Sequence, residues 1–165
     1  MHRRSLIAGT AAAIAVLPIT SIARAQTATG MDEAKLPALL GGDFATASSQ
    51  LASRKSSNNS VKTFAELEIA EQEAVATAFG SEPGAAGIRE DHAALLAQLE
   101  TAEGAEFDMM YIEGQIAGHE ELLDIHRTYA RNGDDPMARG ASLVGVTGIQ
   151  THLVMLESIR RSLAG

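Results

Sequence analysis

The chain has no cysteine, so no disulfide can brace it and the fold must stand on its core alone. Tryptophan is missing too. Alternation of apolar and polar residues with β-branched enrichment does not run for five residues anywhere, which removes the usual signature of strands and leaves an all-α chain. Long apolar runs are also wanting. The one near the start is short and interrupted by Pro18, a poor membrane span, and no transmembrane helix is expected in the mature chain. Basic residues are outnumbered, 13 against 21 acidic, for a net charge of −8. A surface of that sign repels phosphate backbones and anionic membranes, which excludes nucleic acid as a partner and mildly favours cations.

What the first residues do contain is the pattern of an export signal. His2-Arg3-Arg4 is a basic opening, "SLIAGTAAAIAVLPITSI" is apolar and small, and "ARA" ahead of Gln26 offers a cleavage site. Residues 1–25 are therefore read as a signal peptide directing the protein to the periplasm or outer cell envelope. Arg3-Arg4 with Ser5-Leu6-Ile7 resembles a twin-arginine signal, although no Phe follows the pair, and ordinary secretion is the alternative. Cleavage would remove three arginines and no acid, taking the charge to −11. Residues 26–42, with Pro37 and Gly41-Gly42 as breakers, read as a lead-in, and residues 43–165 as one domain.

Within that domain the sequence predicts four main helices and a short extra one. The first runs from Asp43 to about Ser56. A second, "VKTFAELEIAEQEAVATAF", has Ser60 as its cap and is stopped by Gly80 and Pro83. The short piece is "IREDHAALLAQLETA". The third long helix spans about Glu106 to Arg131 and ends at Asn132-Gly133 with Pro136 beyond, and the fourth runs from about Ala141 to Leu163. Short connections between helices of similar length suggest an antiparallel bundle in up-and-down order.

Advancing each residue by ~100° around its helix sorts the faces. On the third long helix Glu113, Glu120 and Asp124 turn to water, whereas Gln115, His119 and His126 fall on the apolar arc of Phe107, Tyr111 and Leu122. On the second, the dry side is Val61, Phe64, Leu67, Val75 and Phe79, and Glu68, Glu71 and Gln72 project with it. His152 goes inward with Ile149 and Leu156, and His92 with Leu95 and Leu99. Every histidine after residue 25 thus faces apolar neighbours. A buried carboxylate costs several kcal/mol if left alone, so Glu68 and Glu71 need partners. Glu71, His119 and His152 each lie near mid-helix and would meet in one layer. His126 sits ~10 Å further along its helix, too far to share an ion with His119.

The stretch "EFDMMYIEGQIAGHEELLDIHRTYARNGDDPMARGAS…HL", with "NSVKTFAELEIAEQEAVATAF" upstream, resembles the exported bacterial family called domain of unknown function 4142, over about residues 41 to 160. The resemblance implies a ferritin-like four-helix bundle in the periplasm or outer membrane region and fixes no activity. It aligns the family's helix histidines with His119 and His152. Where many members carry an Asp-His pair, this chain has Glu71-Gln72. Where the family has a Glu in its first helix, this chain has Ala45 or a neighbour.

Two readings of the inward Glu/His set stay open. One is a single divalent transition metal held by Glu71 or Glu68 with His119 and His152, supported by Gln72, Gln115 and His126. The other is a hydrogen-bonded polar core that fixes helix register in a structural or interaction module of the envelope. A carboxylate-bridged di-iron oxidoreductase is the weakest alternative. It needs Glu-x-x-His on two helices, and Ile116 and Ile149 stand where those acids belong. No catalytic base or nucleophile and no organic-cofactor motif can be assigned, and an envelope partner or homo-oligomer is left undetermined. Gly145 and Gly148 face inward, for close helix approach or for a small pocket beside His152.

Overall fold

The computed structural model describes residues 32–165; residues 1–25, read above as a signal peptide, and residues 26–31 of the expected lead-in lie outside the described residues. Among the described residues there are five helices and no strand: α1 (Leu36–Lys55), α2 (Asn59–Ala78), α3 (Glu90–Thr101), α4 (Gly104–Asn132) and α5 (Pro136–Leu163). The all-α bundle is as the sequence implies.

Three helix starts differ from expectation, each for a local reason. α1 begins at Leu36, so the end of the expected lead-in is helix. Pro37 occupies its first turn, where a missing N–H is not needed. Gly41 and Gly42 are interior residues of that helix and allow close approach: a Cβ on Gly41 would stand 2.7 Å from Leu122 Cδ2, and one on Gly42 2.7 Å from Gln72 Oε1. α2 is capped by Asn58 instead of Ser60, the Asn58 side chain accepting from the N–H groups of Ser60 and Val61. α5 starts at Pro136, five residues earlier than Ala141, because Asp135 accepts from the N–H groups of Met137 and Ala138 and Pro136 fits the first helical position.

The order of directions also departs from a simple up-and-down bundle. Lys35, ahead of α1, donates to the Phe79 carbonyl at the end of α2 and pairs with Asp135 at the start of α5. Lys55, at the other end of α1, donates to the carbonyls of Leu99 and Glu100 just before α4. The segment 79–103, α3 included, therefore travels the length of the bundle. Packed neighbours α1/α2, α1/α4, α2/α5 and α4/α5 run antiparallel, while α2 and α4 run the same way: Phe64 meets Tyr111 at one level and Phe79 meets Tyr129 at another. A single long crossover is the arrangement of ferritin-like bundles.

Two apolar clusters occupy the ends of the core. One gathers Val61, Phe64, Leu99, Phe107, Tyr111 and Leu156, and the other Leu39, Ala76, Phe79, Tyr129 and Ala138. Buried polar side chains fill the stretch between them: Glu68, Gln72, Gln115, His119, His126 and His152. Leu67 does not belong to the core, being 50% exposed. Ala65 and Ala76 take inward positions of α2.

Asp43 is buried in α1, where its carboxylate accepts from the N–H groups of Gly84, Ala86 and Gly87 at 2.8–2.9 Å. It staples the crossover to the bundle. Hydrogen bonds to a charged group contribute about 1.5–3 kcal/mol, so Asp43→Ala should cost that much in urea unfolding and speed amide exchange at residues 84–87. An unchanged midpoint would mean that packing alone holds the loop.

Candidate metal centre

Three helices deliver one donor atom each to the middle of the core. Glu68 is wholly buried on α2, His119 is 1% exposed on α4, and His152 is 8% exposed on α5. Glu68 Oε2 stands 3.1 Å from His152 Nδ1 and 3.3 Å from His119 Nε2, and the two nitrogens are 3.2 Å apart. This is the group among the described residues whose side chains could hold a metal ion. Phe64 closes one side, with its ring 5.4 Å from that of His152 and 5.9 Å from that of His119.

Each donor is oriented from behind. His119 Nδ1 lies 2.8 Å from the Gln115 carbonyl, which can only accept, so Nδ1 carries a proton, and in the neutral ring it is Nε2 that turns a lone pair to the triangle. Gln72 Nε2 donates to Glu68 Oε1 at 2.9 Å, leaving Oε2 turned inward with no hydrogen-bond partner of its own. His152 Nε2 points away from the triangle towards Glu71 Oε2, 3.4 Å distant. Carboxylates and carbonyls behind ligating atoms are how metal sites fix tautomer and ring angle.

The electrostatics follow from that packing. Burial alone would raise the Glu68 pKa, but the two imidazoles against its carboxylate outweigh burial and hold it down to about 2. The Glu68 carboxylate in turn pushes His152 above the ordinary imidazole range, against the opposing effect of burial.

The remaining sequence-selected residues separate into other roles. Glu71 is at the rim, its side chain 34% exposed, and is not one of the three converging donors. Of the two acids in question, Glu68 takes the inner place. Gln72 donates to Glu68 and Gln115 meets His119 through its backbone carbonyl, while the Gln115 side chain donates to Ser48 Oγ. His126 does not join them: its Nδ1 is 3.1 Å from Ser142 Oγ and its ring meets the edge of Phe79. His92 stacks on Phe44 at 4.1 Å and takes a contact from Arg89. Sequence reasoning missed Ser48 and Ser49, which bond Gln115 and the Tyr111 hydroxyl, and the buried Asp108. Asp108 carried a usable signal, since it lies one residue from Phe107 and three from Tyr111 on the dry arc.

Ala45 faces the same layer from α1 without a carboxylate. It lines an enclosed cavity of about 10 Å³, room for one water, together with Gln115 and His119. The second acid that a two-metal site would require is not there.

The family described as domain of unknown function (DUF4142) matches residues 20–159. No curated protein and no solved structure matches the chain.

His126 supplies a test that is independent of any ion. Burial pushes its pKa down to about 4 from the usual 6.5, so the unfolded chain binds the extra proton first. Its stabilising contribution is complete above about pH 6.5 and is lost as the pH falls towards 4. Urea midpoints of His126→Gln should therefore fall less between pH 7 and pH 4.5 than those of the unaltered protein; parallel losses would show that His126 titrates freely in the folded state.

Proposed function

The chain belongs to the DUF4142 family, and from that membership and the geometry of the triad we propose that it is an exported cell-envelope bundle holding one divalent transition-metal ion. Glu68 Oε2, His119 Nε2 and His152 Nδ1 are the ligands. Its location in the periplasm or outer envelope rests on the signal pattern of residues 1–25.

The observation that carries the reading is the triangle of donor atoms 3.1–3.3 Å apart, one from each of three helices. A tetrahedron around an ion bound at ~2.0 Å has edges of about 3.3 Å. If His119 and His152 are neutral and His152 directs its one N–H, at Nε2, to Glu71, three lone pairs face one another with nothing between them. A metal cation answers all three at once. Imidazole and carboxylate together suit zinc, iron, copper or manganese, and three protein ligands leave a further position open. No general base or nucleophile is assigned beside it.

A second reading has its own support. A doubly protonated His152 would place Nδ1–H against Glu68 and Nε2–H against Glu71, and Gln115–Ser48, Tyr111–Ser49 and His126–Ser142 extend a hydrogen-bonded core that needs no ion. In that case the layer fixes register in a structural or interaction module.

The two readings respond oppositely to pH. Metal binding must displace the His152 proton, so affinity should rise with pH across neutrality. A His152 whose folded pKa is raised lends stability that is full below the unfolded value near 6.5 and fades as pH climbs through the folded one. Elemental analysis of tag-free protein from the periplasm should find about one ion per chain, absent from a His119→Ala/His152→Ala double variant. Glu71→Gln and Gln72→Ala should weaken binding by roughly 10–100-fold without abolishing it, as losses behind a ligand do. Metal-free protein whose stability drops above pH 7 would decide for the hydrogen-bonded core.

A further inference from the structure

The triad is closed on most sides. Glu68 is wholly buried and His119 nearly so, and the cavity behind His119 is enclosed and holds no more than a water. His152 differs: its side chain keeps 10% of its surface and forms part of the wall of an open groove of about 670 Å³ between α2 and α5. Ala74, Ala78, Ala141 and Gly148 make the groove wide by being small, and Glu71 is its one acidic side chain. Gly148 leaves room for that carboxylate, for a Cβ there would lie 3.0 Å from Glu71 Oε1. A second groove further along the same two helices is lined by Thr63, Phe64, Met155 and Ser158 and by none of the three ligands.

We infer that the α2/α5 groove is the route by which a divalent cation reaches and leaves the triad, with His152 as the ligand that moves and Glu71 as the carboxylate that meets the ion first. The inference rests on the metal reading above and adds a path to it. A hydrated cation must exchange waters for protein donors in steps, and Glu71 is the first anionic oxygen it would find on the way in. From there the obstacle is the His152 ring, whose Nε2 faces Glu71 and whose Nδ1 faces Glu68. Swinging that ring towards the groove opens the triangle without disturbing Glu68 or His119, which are locked by Gln72 and by the Gln115 carbonyl. The ring then closes behind the ion.

A plug in a route slows arrival and departure alike and leaves the equilibrium untouched. The full-length mature protein is mixed with Co²⁺ and the visible absorbance of the bound ion is followed by stopped flow; release is followed after adding a strong chelator. Ala74→Leu, an exposed helix position, should slow both rates about tenfold while the dissociation constant stays within about threefold. Ser158→Leu, in the other groove, should change neither rate. Glu71→Gln should slow uptake more than it slows release. Unchanged rates in Ala74→Leu, or equal slowing in Ser158→Leu, would overturn the route while leaving the metal site standing. Failure of the unaltered protein to bind Co²⁺, Zn²⁺ or Fe²⁺ at all would overturn the site, and the route with it.

Discussion

One ionised carboxylate with no exposed surface, Glu68, organises the centre of this bundle. Removing such a group from water costs several kcal/mol unless positive charge and hydrogen bonds replace its hydration. The surroundings supply a hydrogen bond and two imidazoles able to carry the charge. Gln72 takes one oxygen, two imidazoles close on the other, and Gln115 holds His119 from behind with a carbonyl that only accepts. Each of these residues is buried in turn, so each brings its own requirement. Gly42 leaves room for the Gln72 side chain, and Ser48 on α1 receives the Gln115 amide. The polar layer and the close packing of α1 are consequences of the same buried acid.

Much of this was legible in the sequence, and the errors have physical causes. Missing alternation gave the helical class, and amphipathic phase placed His92, His119, His126 and His152 inward, where all four are found. The common layer survived even though the up-and-down order did not, because a residue at mid-helix stays at mid-height whichever way its helix points. The choice between Glu68 and Glu71 is different. They are ~60° apart around α2, so a small error in the centre of the buried arc exchanges them. Counting Leu67 as core pulled that centre towards Glu71; the true centre is marked by Ala65 and Ala76, small residues that hydropathy weighs lightly. Pro and Gly misled at α1 and α5 because they serve there as a first-turn residue and as contact surfaces, not as breakers.

The helix that looked least informative also proved to matter. α1 offers no carboxylate at the level of the triad. Instead Ser48 and Ser49 anchor Gln115 and Tyr111, Asp43 reaches out to the crossover, and Ala45 leaves a water-sized gap beside His119. A two-metal carboxylate centre draws acids from all four helices, whereas here α1 contributes hydroxyls and space. The layer has one inner acid, and that sets the nuclearity of any centre it could form.

Charge balance in the layer separates its two candidate states. Glu68 and Glu71 flank His152 and together carry two negative charges when ionised. A proton shared between them on His152 supplies one positive charge, and the layer is left negative around a Glu68 that has no exposed surface. A divalent ion inside the triangle supplies two, with His152 neutral and its Nε2–H directed at Glu71. The second state is electrically neutral, satisfies Glu68 Oε2, and uses Glu71 without burying it. On this accounting the acid at the rim matches the charge of the ion, and its distance from the triangle leaves it free to act on His152 from outside.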